Sequence, residues 1–281
     1  MREISTSQIT DAVARMCQEA NFLLPEDVTA AIARAAEDEP SDVGKHVLQQ
    51  ILRNAEIAAA DHVPLCQDCG LAAIFVELGQ DVHIVGGAFQ NAIDEGVRIG
   101  YRDGYLRKSV VRPPIFGRVN TKDNTPALVY VDLVPGDRLR ITIMTKGGGS
   151  ENMSALAMLT PADGAQGVKE FVTRTVEKAG SNPCPPIIVG VGIGGTADHA
   201  MHLAKKALLR PVGEHNADPE TAALEDDLLA RVNQLGIGPA GFGGRTTALA
   251  VHVETHPCHM ASLPVAVNIQ CHSARHKEVV L

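Results

Sequence analysis

Apolar residues in the first sixty positions recur every three to four residues, which is the period of an α-helix. One such apolar face is formed by Ile9, Val13, Met16, Cys17 and Ala20. Pro25 can open a second helix, because a proline in the first helical turn loses no hydrogen bond. Ser41 is a suitable N-cap for a third helix. The pattern predicts a helical region over residues 1–62.

After Pro64 the pattern changes to short apolar runs that alternate with helical periods. The runs predict strands over residues 71–76, 82–85, 127–133, 138–144, 186–190, 247–253 and 265–270. The helical periods predict helices over residues 88–101, 164–179, 196–209 and 218–235. Turn-forming residues dominate the stretches 108–126 and 236–244, which we expect to be loops. The turn sequence Pro135-Gly136-Asp137 predicts that the two strands beside it form a hairpin.

This mixture of strands and helices is typical of the α/β class with a mixed sheet. We expect a helical N-terminal region followed by mixed-sheet α/β lobes. The predicted segments are residues 1–62 for the helical region, 63–160 for the first lobe and 161–281 for the second lobe. A chain of 281 residues is long enough for one large domain or two small ones.

The composition is that of a globular protein and argues against a membrane protein or a nucleic-acid-binding protein. Hydrophobic residues make up 45% of the chain and charged residues 21%, as in an ordinary globular protein. No apolar run reaches the roughly 18 to 20 residues that span a bilayer. The net charge of −8 offers no basic surface for nucleic acid, and 3% aromatic residues offer few platforms for stacking bases. We therefore expect neither a nucleic-acid partner nor a membrane.

The six cysteines are at positions 17, 66, 69, 184, 258 and 271. Residues 1–5 lack the basic and then apolar pattern of a signal peptide, so we expect a cytoplasmic, reducing location without a disulfide framework. Cys17 falls on the apolar helix face and is expected in the core. The other thiols are candidates for ligands or nucleophiles, or for inert buried side chains.

The segment Cys66-Gln67-Asp68-Cys69-Gly70 combines thiol, amide and carboxylate groups just before a predicted strand. The spacing of its two cysteines is also that of a dithiol redox motif. Such motifs follow a strand and open a helix, whereas here helical sequence precedes and a strand follows. A plain turn with incidental thiols is the third interpretation.

Two glycine-rich segments follow predicted strands. In Lys146-Gly147-Gly148-Gly149-Ser150 the glycines let main-chain N–H groups approach an anion, so a carboxylate or phosphate cradle and a plain turn both remain open. The segment Gly190–Gly195 fits the fingerprint of dinucleotide-binding oxidoreductases. Residues 210–216 form a polar stretch where that motif needs a second strand ending in an acid, which disfavours a dinucleotide cofactor.

Histidine and cysteine crowd the C-terminal part of the chain, at His252, His256, Cys258, His259, Cys271, His272 and His276. This crowding suggests a zinc-stabilised binding module, although residues 261–270 are expected to form a strand rather than a finger helix. Cys66, Cys184 and Cys271 are far apart in sequence, so a site that they share would be assembled by the folded chain. Three thiolates on a four-iron cluster would leave one iron open as a Lewis acid.

Four segments together resemble the iron–sulfur, class I fumarate hydratases, and in particular the separate α subunit of the two-subunit form. The segments are Cys66-Gln67-Asp68-x-Gly70 and residues 145–150, 182–195 and 263–271, in consistent order over nearly the whole chain. The related L-tartrate dehydratase α subunits share the Cys-Gln-Asp and Cys-Pro-Pro segments. The intact stretches 146–150 and 267–271 look more like fumarase.

The resemblance implies a 4Fe–4S cluster held by Cys66, Cys184 and Cys271, with the fourth iron open to substrate. It implies Asp68 as the acid, and it assigns substrate contacts to Gln67, Arg107, Gly147, Gly148 and Gly149. Arg107 is matched through the segment Leu106-Arg107-Lys108-Ser109. The implied reaction is the reversible hydration of fumarate to (S)-malate in the tricarboxylic acid cycle, with L-tartrate or mesaconate as alternative substrates.

Loss of water from malate also needs a base and groups that bind a second carboxylate. The family carries both on a β domain, so the resemblance implies a β subunit as partner in an α2β2 heterotetramer. It also implies that the α chain is inactive alone. The family usually has Thr where this chain has Cys69, and Cys258 is expected to bind no iron.

Overall fold

The computed structural model describes residues 1–281 as two compact units. Unit 1 consists of Met1–Leu24, Ala55–Gly148 and Arg275–Leu281, and unit 2 consists of Pro25–Asn54 and Gly149–Ala274. Each unit therefore combines stretches that are distant in sequence. The predicted segments 1–62, 63–160 and 161–281 stay a prediction.

The helices are α1 (Thr6–Phe22), α2 (Glu26–Asp38), α3 (Asp42–Asp61), α4 (Phe89–Asp103), α5 (Gly148–Glu151), α6 (Gly164–Ala179), α7 (Ala197–Ala207) and α8 (Pro219–Gln234). The strands are β1 (Arg2–Ser5), β2 (Leu71–Gly79), β3 (Val82–Val85), β4 (Val111–Arg112), β5 (Val119–Asn120), β6 (Leu128–Val134), β7 (Leu139–Lys146), β8 (Ala155–Leu159), β9 (Ile187–Gly194), β10 (Ala248–His256), β11 (Leu263–Gln270) and β12 (His276–Val280). The α/β class and the helical N-terminal region are confirmed.

The four-stranded sheet of unit 1 has the strand order β12-β7-β2-β6. β2 pairs antiparallel with β7 and parallel with β6. The predicted hairpin of β6 and β7 is therefore wrong, because β2 lies between them. Burial gives the physical reason: β2 is buried along most of its length and suits the centre of the sheet. β6 exposes Leu128, Val131 and Leu133 and suits an edge.

Helices α1 and α4 of unit 1 approach each other closely through two glycines. A Cβ added at Gly96 would lie 2.7 Å from the carbonyl oxygen of Thr10, and one at Gly100 would lie 2.7 Å from that of Ala14. Only glycine permits backbones to come this near. The same contact buries Cys17 completely, as the helical pattern predicts.

The sheet of unit 2 has the strand order β10-β9-β11-β8 and is also mixed. β9 pairs parallel with β10 and antiparallel with β11. Successive residues of β9 point to opposite faces of the sheet. Val189 and Val191 join the apolar core formed with α6 and α8, whereas Gly190 and Gly192 face α7 on the other side.

Packing against α7 explains the glycines that resemble a dinucleotide fingerprint. A Cβ at Gly190 would lie 2.0 Å from the carbonyl oxygen of Ala204, and one at Gly192 would lie 2.1 Å from that of Ala200. The strand predicted to end at residue 190 continues to Gly194, so both glycines belong to a strand rather than to a turn. Helix packing accounts for them without a bound dinucleotide.

Five strands, β1, β4, β5, β8 and β12, fall outside the predicted ones, and all five are short. β4 and β5 pair antiparallel within the stretch 108–126, which the sequence predicts to be a loop throughout. β1 pairs with β3, β8 with β11, and β12 with β7. Half-exposed or polar sequences such as these carry a weak strand signal, and their partners in space decide their conformation. None of the helices has both the length and the apolar character needed to cross a membrane.

Replacing Gly192 with alanine should destabilise unit 2, because the added Cβ would press against the Ala200 carbonyl oxygen and displace α7. We expect a loss of about 2–3 kcal/mol in the free energy of unfolding, measured by urea denaturation. Gly213→Ala is the control. Gly213 has a φ of 100° but no atom within 4 Å of the added Cβ, so its loss should be about 1 kcal/mol. Equal losses would contradict the packing role.

Candidate functional site

The loop formed by residues 66–70 lies beside the glycine-rich segment in unit 1 because two strands pair. β2 begins at Leu71, directly after the loop, and β7 ends at Lys146, directly before the glycines. The antiparallel register pairs these two residues with each other. Gly70 has a φ of 71°, and a Cβ there would lie 2.7 Å from the Lys146 carbonyl group. This glycine lets the two chain segments pass close together.

The Asp68 carboxylate joins the loop to the glycine-rich segment. Its Oδ1 accepts a hydrogen bond from the Gly70 N–H at 3.0 Å, and its Oδ2 accepts one from the Gly148 N–H at 2.8 Å. Each oxygen has a further lone pair. The side chain is half-buried and is held in one orientation by main-chain groups on both sides.

Arg275, which no sequence pattern singled out, completes this arrangement in unit 1. Its side chain is buried, and its Nη1 donates to the carbonyl oxygen of Asp68 and to Asn21 Oδ1. Its Nη2 lies 3.3 Å from the position that a Cβ on Gly147 would occupy. Asp68 Oδ2 lies 3.4 Å from that same position. A Cβ at Gly147 would therefore touch both groups, and its approach to the guanidinium would be tighter than an ordinary contact.

Cys69 connects the loop to the segment that carries Arg107. Its Sγ accepts a hydrogen bond from the Arg107 N–H at 3.2 Å, and its carbonyl oxygen accepts one from the Tyr101 hydroxyl at 2.7 Å. Desolvation by burial raises the pKa of the Cys69 thiol, although the Arg107 N–H and the charge of Arg275 oppose this. The Arg107 side chain is exposed. Its main chain is held by Cys69, while its guanidinium remains accessible to solvent.

In unit 2, Cys184 and Cys271 lie on neighbouring loops. The His272 ring Nδ1 is 2.9 Å from the Cys184 carbonyl oxygen, and the His272 main-chain N–H donates to the same oxygen at 3.4 Å. Cys184 is exposed and has a φ of 58°, a left-handed conformation that is uncommon outside glycine. Cys271 is half-buried and directly follows β11. Both loops are therefore anchored to each other through the main chain.

A buried polar network in unit 2 supports the chain that follows Gly149. Lys205 Nζ lies 2.6 Å from Glu151 Oε1, and Asn268 Nδ2 donates to Glu151 Oε2 at 3.0 Å. Lys205 and Asn268 are both buried. The network ties the chain after the glycine-rich segment to α7 and to β11, the strand that leads to Cys271.

The predicted site residues divide between the two units. Unit 1 contains Cys66, Gln67, Asp68, Arg107, Gly147 and Gly148, and unit 2 contains Gly149, Cys184 and Cys271. Within either unit, no group of three or more His, Cys, Asp or Glu side chains is arranged to hold a metal ion. The remaining thiols differ in burial: Cys17 and Cys69 are buried, whereas Cys258 is exposed.

Comparison with known proteins decides the family. The profile described as Fumarate hydratase (Fumerase) matches residues 10–280. The chain belongs to the fumarate hydratase family. A Methanocaldococcus jannaschii protein named putative L(+)-tartrate dehydratase subunit alpha is 45% identical over 276 residues, which cover 95% of each chain. The L(+)-tartrate dehydratase subunit alpha of Escherichia coli UTI89 is 32% identical over 278 residues, covering 98% of this chain and 91% of the relative.

Membership of the fumarate hydratase family confirms the resemblance drawn from the four sequence segments. Fumarate hydratases and tartrate dehydratases both add or remove the elements of water, so the chain is an enzyme of the hydro-lyase class. The matched region includes every predicted site residue. The family and the two relatives bear the names of different substrates.

The thiols should differ in their reactivity toward iodoacetamide in the native, metal-free chain. Cys184 and Cys258 are exposed and should react first. Burial raises the pKa of Cys17 and of Cys69, so both should react at least about tenfold more slowly. Mass spectrometry of alkylated peptides at successive times measures this order. The chain unfolded in guanidinium is the control, and rapid native labelling of Cys69 would contradict its burial.

Proposed function

We propose that this chain is the α subunit of an iron–sulfur hydro-lyase that reversibly hydrates fumarate to (S)-malate, a reaction of the tricarboxylic acid cycle. The observation that carries the proposal is the 2.8 Å contact between the Asp68 carboxylate and the Gly148 amide nitrogen. A carboxyl group that can exchange a proton thus stands next to main-chain N–H groups that can bind an anion. Membership of the fumarate hydratase family supports the same class of reaction.

Asp68 is the proposed acid. In the direction from malate to fumarate it would give its proton to the departing hydroxyl oxygen, and in hydration it would take the proton back. The amides of Gly70 and Gly148 hold its two oxygens, so the proton would be presented from a fixed position. Such fixed positions are a large part of catalysis, because reacting groups need not be ordered anew in each turnover.

Fumarate and malate each carry two carboxylates that the enzyme must bind. We assign one of them to Arg107 and to the glycine-rich segment 147–149. The Gly148 N–H donates to Asp68, so Gly148 would contribute a backbone without a Cβ, which lets the substrate approach closely. The Arg107 guanidinium is exposed and can form a two-pronged contact with a carboxylate. Gln67 is also exposed and precedes the proposed acid, so its amide group can donate to a substrate oxygen.

We further propose that Cys66, Cys184 and Cys271 bind a 4Fe–4S cluster. Thiolates are the usual ligands of such clusters, and these three thiols are exposed or half-buried on loops next to strands. Cys17 and Cys69 are buried and are less suited to bind a metal. When bound by three thiolates, a 4Fe–4S cluster supplies a Lewis-acidic iron that eases loss of a hydroxyl group.

A β subunit is the proposed partner of this chain. The two relatives described above are both named subunit alpha, which supports an assembly with a second type of chain. The β subunit would carry the base and the groups for the second carboxylate, neither of which we assign to this chain. We propose an α2β2 heterotetramer in the cytoplasm.

L-tartrate is the second candidate substrate, because both relatives are named for L(+)-tartrate dehydratase. Tartrate differs from malate by one additional hydroxyl group. A site that pairs this hydroxyl with a polar group can favour tartrate strongly, whereas a site without such a group cannot. Part of that choice belongs to β residues. Mesaconate, which is fumarate with one extra methyl group, is the third substrate to compare.

Cys184→Ser should abolish retention of the cluster after anaerobic reconstitution, because one of three thiolate ligands is removed. Iron and sulfide content per chain and the broad absorbance near roughly 400 nm measure the loss. Cys258→Ser is the matched control, because Cys258 is also exposed but lies outside the proposed ligand set. Equal iron content in the two variants would contradict the ligand assignment.

The chain should be inactive alone and should dehydrate malate once a β subunit and the cluster are present. Asp68→Asn should lower kcat by about 10²–10⁴-fold, and Asp103→Asn, at an exposed carboxylate, should leave it unchanged. Turnover of malate, L-tartrate and mesaconate is compared by the change in ultraviolet absorbance of the unsaturated acid and by chromatography. Faster turnover of L-tartrate would favour the second candidate, and full activity without β would overturn the proposed partner.

A further inference from the structure

Arg275 is a cation placed deep in unit 1. Only 1% of its surface is exposed, and it heads the largest fully buried side chains of the protein. Its hydrogen bonds run to neutral oxygens, and its Nε has no hydrogen-bond partner. Burying a charge in this way is costly, and an apolar side chain of similar length would be cheaper. The hydrogen-bond partners of its guanidinium indicate why a buried charge is present at this position.

Arg275 connects the chain segments that frame the Asp68 loop. At the start of the loop, the Asn21 carbonyl oxygen accepts from the Leu65 N–H at 2.8 Å, and Asn21 Oδ1 accepts from Arg275 Nη1 at 3.3 Å. In the middle, the same Nη1 donates to the Asp68 carbonyl oxygen. The Arg275 carbonyl oxygen accepts from the Thr145 N–H at 3.1 Å, near the end of β7. One residue thus holds the entry of the loop, its middle and the neighbouring strand.

The contact with the Asp68 main chain also determines where its carboxylate points. The carbonyl group and the side chain leave the same residue, so fixing the first restricts the direction of the second. The carboxylate then reaches the Gly148 N–H at 2.8 Å and the Gly70 N–H at 3.0 Å. The guanidinium and the carboxylate both lie within 3.4 Å of the Cβ position of Gly147, so both groups border the glycine-rich segment.

We propose that Arg275 is a positioning residue, which holds the main chain of Asp68 so that its carboxylate stays on the Gly148 amide. The consequence for turnover rests on the proposed function of Asp68 as the acid. A neutral side chain at position 275 removes the donors to Asp68 and to Asn21, and the loop can then turn away. A displacement of about 1 Å at a reacting group can lower the rate by roughly a hundredfold.

Amide hydrogen exchange of the complete chain tests the positioning role without any activity. The Gly70 and Gly148 amides donate to the Asp68 carboxylate and should exchange at least about tenfold faster in Arg275→Met. Arg275→Gln, which suits the polar surroundings better, is made in parallel. Arg140→Met is the matched control, because Arg140 lies on β7 with an exposed side chain paired to Glu77 and Glu278.

Turnover in the complex with the β subunit is measured per intact cluster, determined from iron and sulfide. We expect the neutral variants to lose kcat by roughly tenfold to hundredfold, with KM within about twofold, because the substrate-binding groups remain. Arg275→Lys keeps a positive charge with N–H donors and should restore part of the loss. A merely structural role would lower the amount of folded protein but not the rate per cluster.

Two results would overturn the proposal. One is wild-type exchange at the Gly70 and Gly148 amides, with wild-type turnover per cluster, in a neutral variant. The other is loss of protection throughout β2 and β7 in both neutral variants, because Arg275 would then be a residue of general stability. If the wild-type complex dehydrates none of the dicarboxylates, the proposed function fails, and the exchange result still decides the positioning role.

Discussion

The antiparallel pairing of Leu71 with Lys146 is the constraint on which the candidate site depends. It brings together two segments that are far apart in sequence, one carrying Asp68 and the other carrying the glycines. Register matters here because a slip by one residue would turn every side chain of β2 to the other face of the sheet. A Cβ at position 70 would lie 2.7 Å from the Lys146 carbonyl group, so glycine is needed there for the two segments to pass this closely. The register of β2 against β7 therefore determines which main-chain groups surround the Asp68 carboxylate.

The resemblance implies threonine where this chain has Cys69, and the contacts of Cys69 show what a residue at this position does. The Cys69 Sγ is buried and accepts a hydrogen bond from the Arg107 N–H. A threonine hydroxyl can accept the same hydrogen bond, so a thiol here can serve the same structural purpose. Exposure separates the two thiols of the loop, because Cys69 is buried whereas Cys66, the proposed cluster ligand, is half-buried.

Sequence patterns predicted the elements whose formation depends mainly on neighbouring residues, such as amphipathic helices and buried strands. Helical periodicity identified α1 and the burial of Cys17, and an apolar run identified β11. The order of strands is a property of the whole sheet, so a turn signal could not reveal that β2 separates β6 from β7. The structural role of Gly190 is to let α7 pack against β9, and that contact is not visible in the local sequence. Motif resemblance supplied Asp68 and its neighbours, but no local pattern marks an arginine such as Arg275, whose burial arises from tertiary structure alone.

The hydrogen bond from Arg275 to the Asp68 carbonyl oxygen spans 207 positions of the chain. A ribosome that adds about 5–20 residues per second needs roughly 10 to 40 seconds to travel that distance. During this interval β2 can already exist, yet the loop preceding it lacks the donor that later restrains it. The loop that carries Asp68 therefore gains its full set of restraints only after Arg275 has been synthesised.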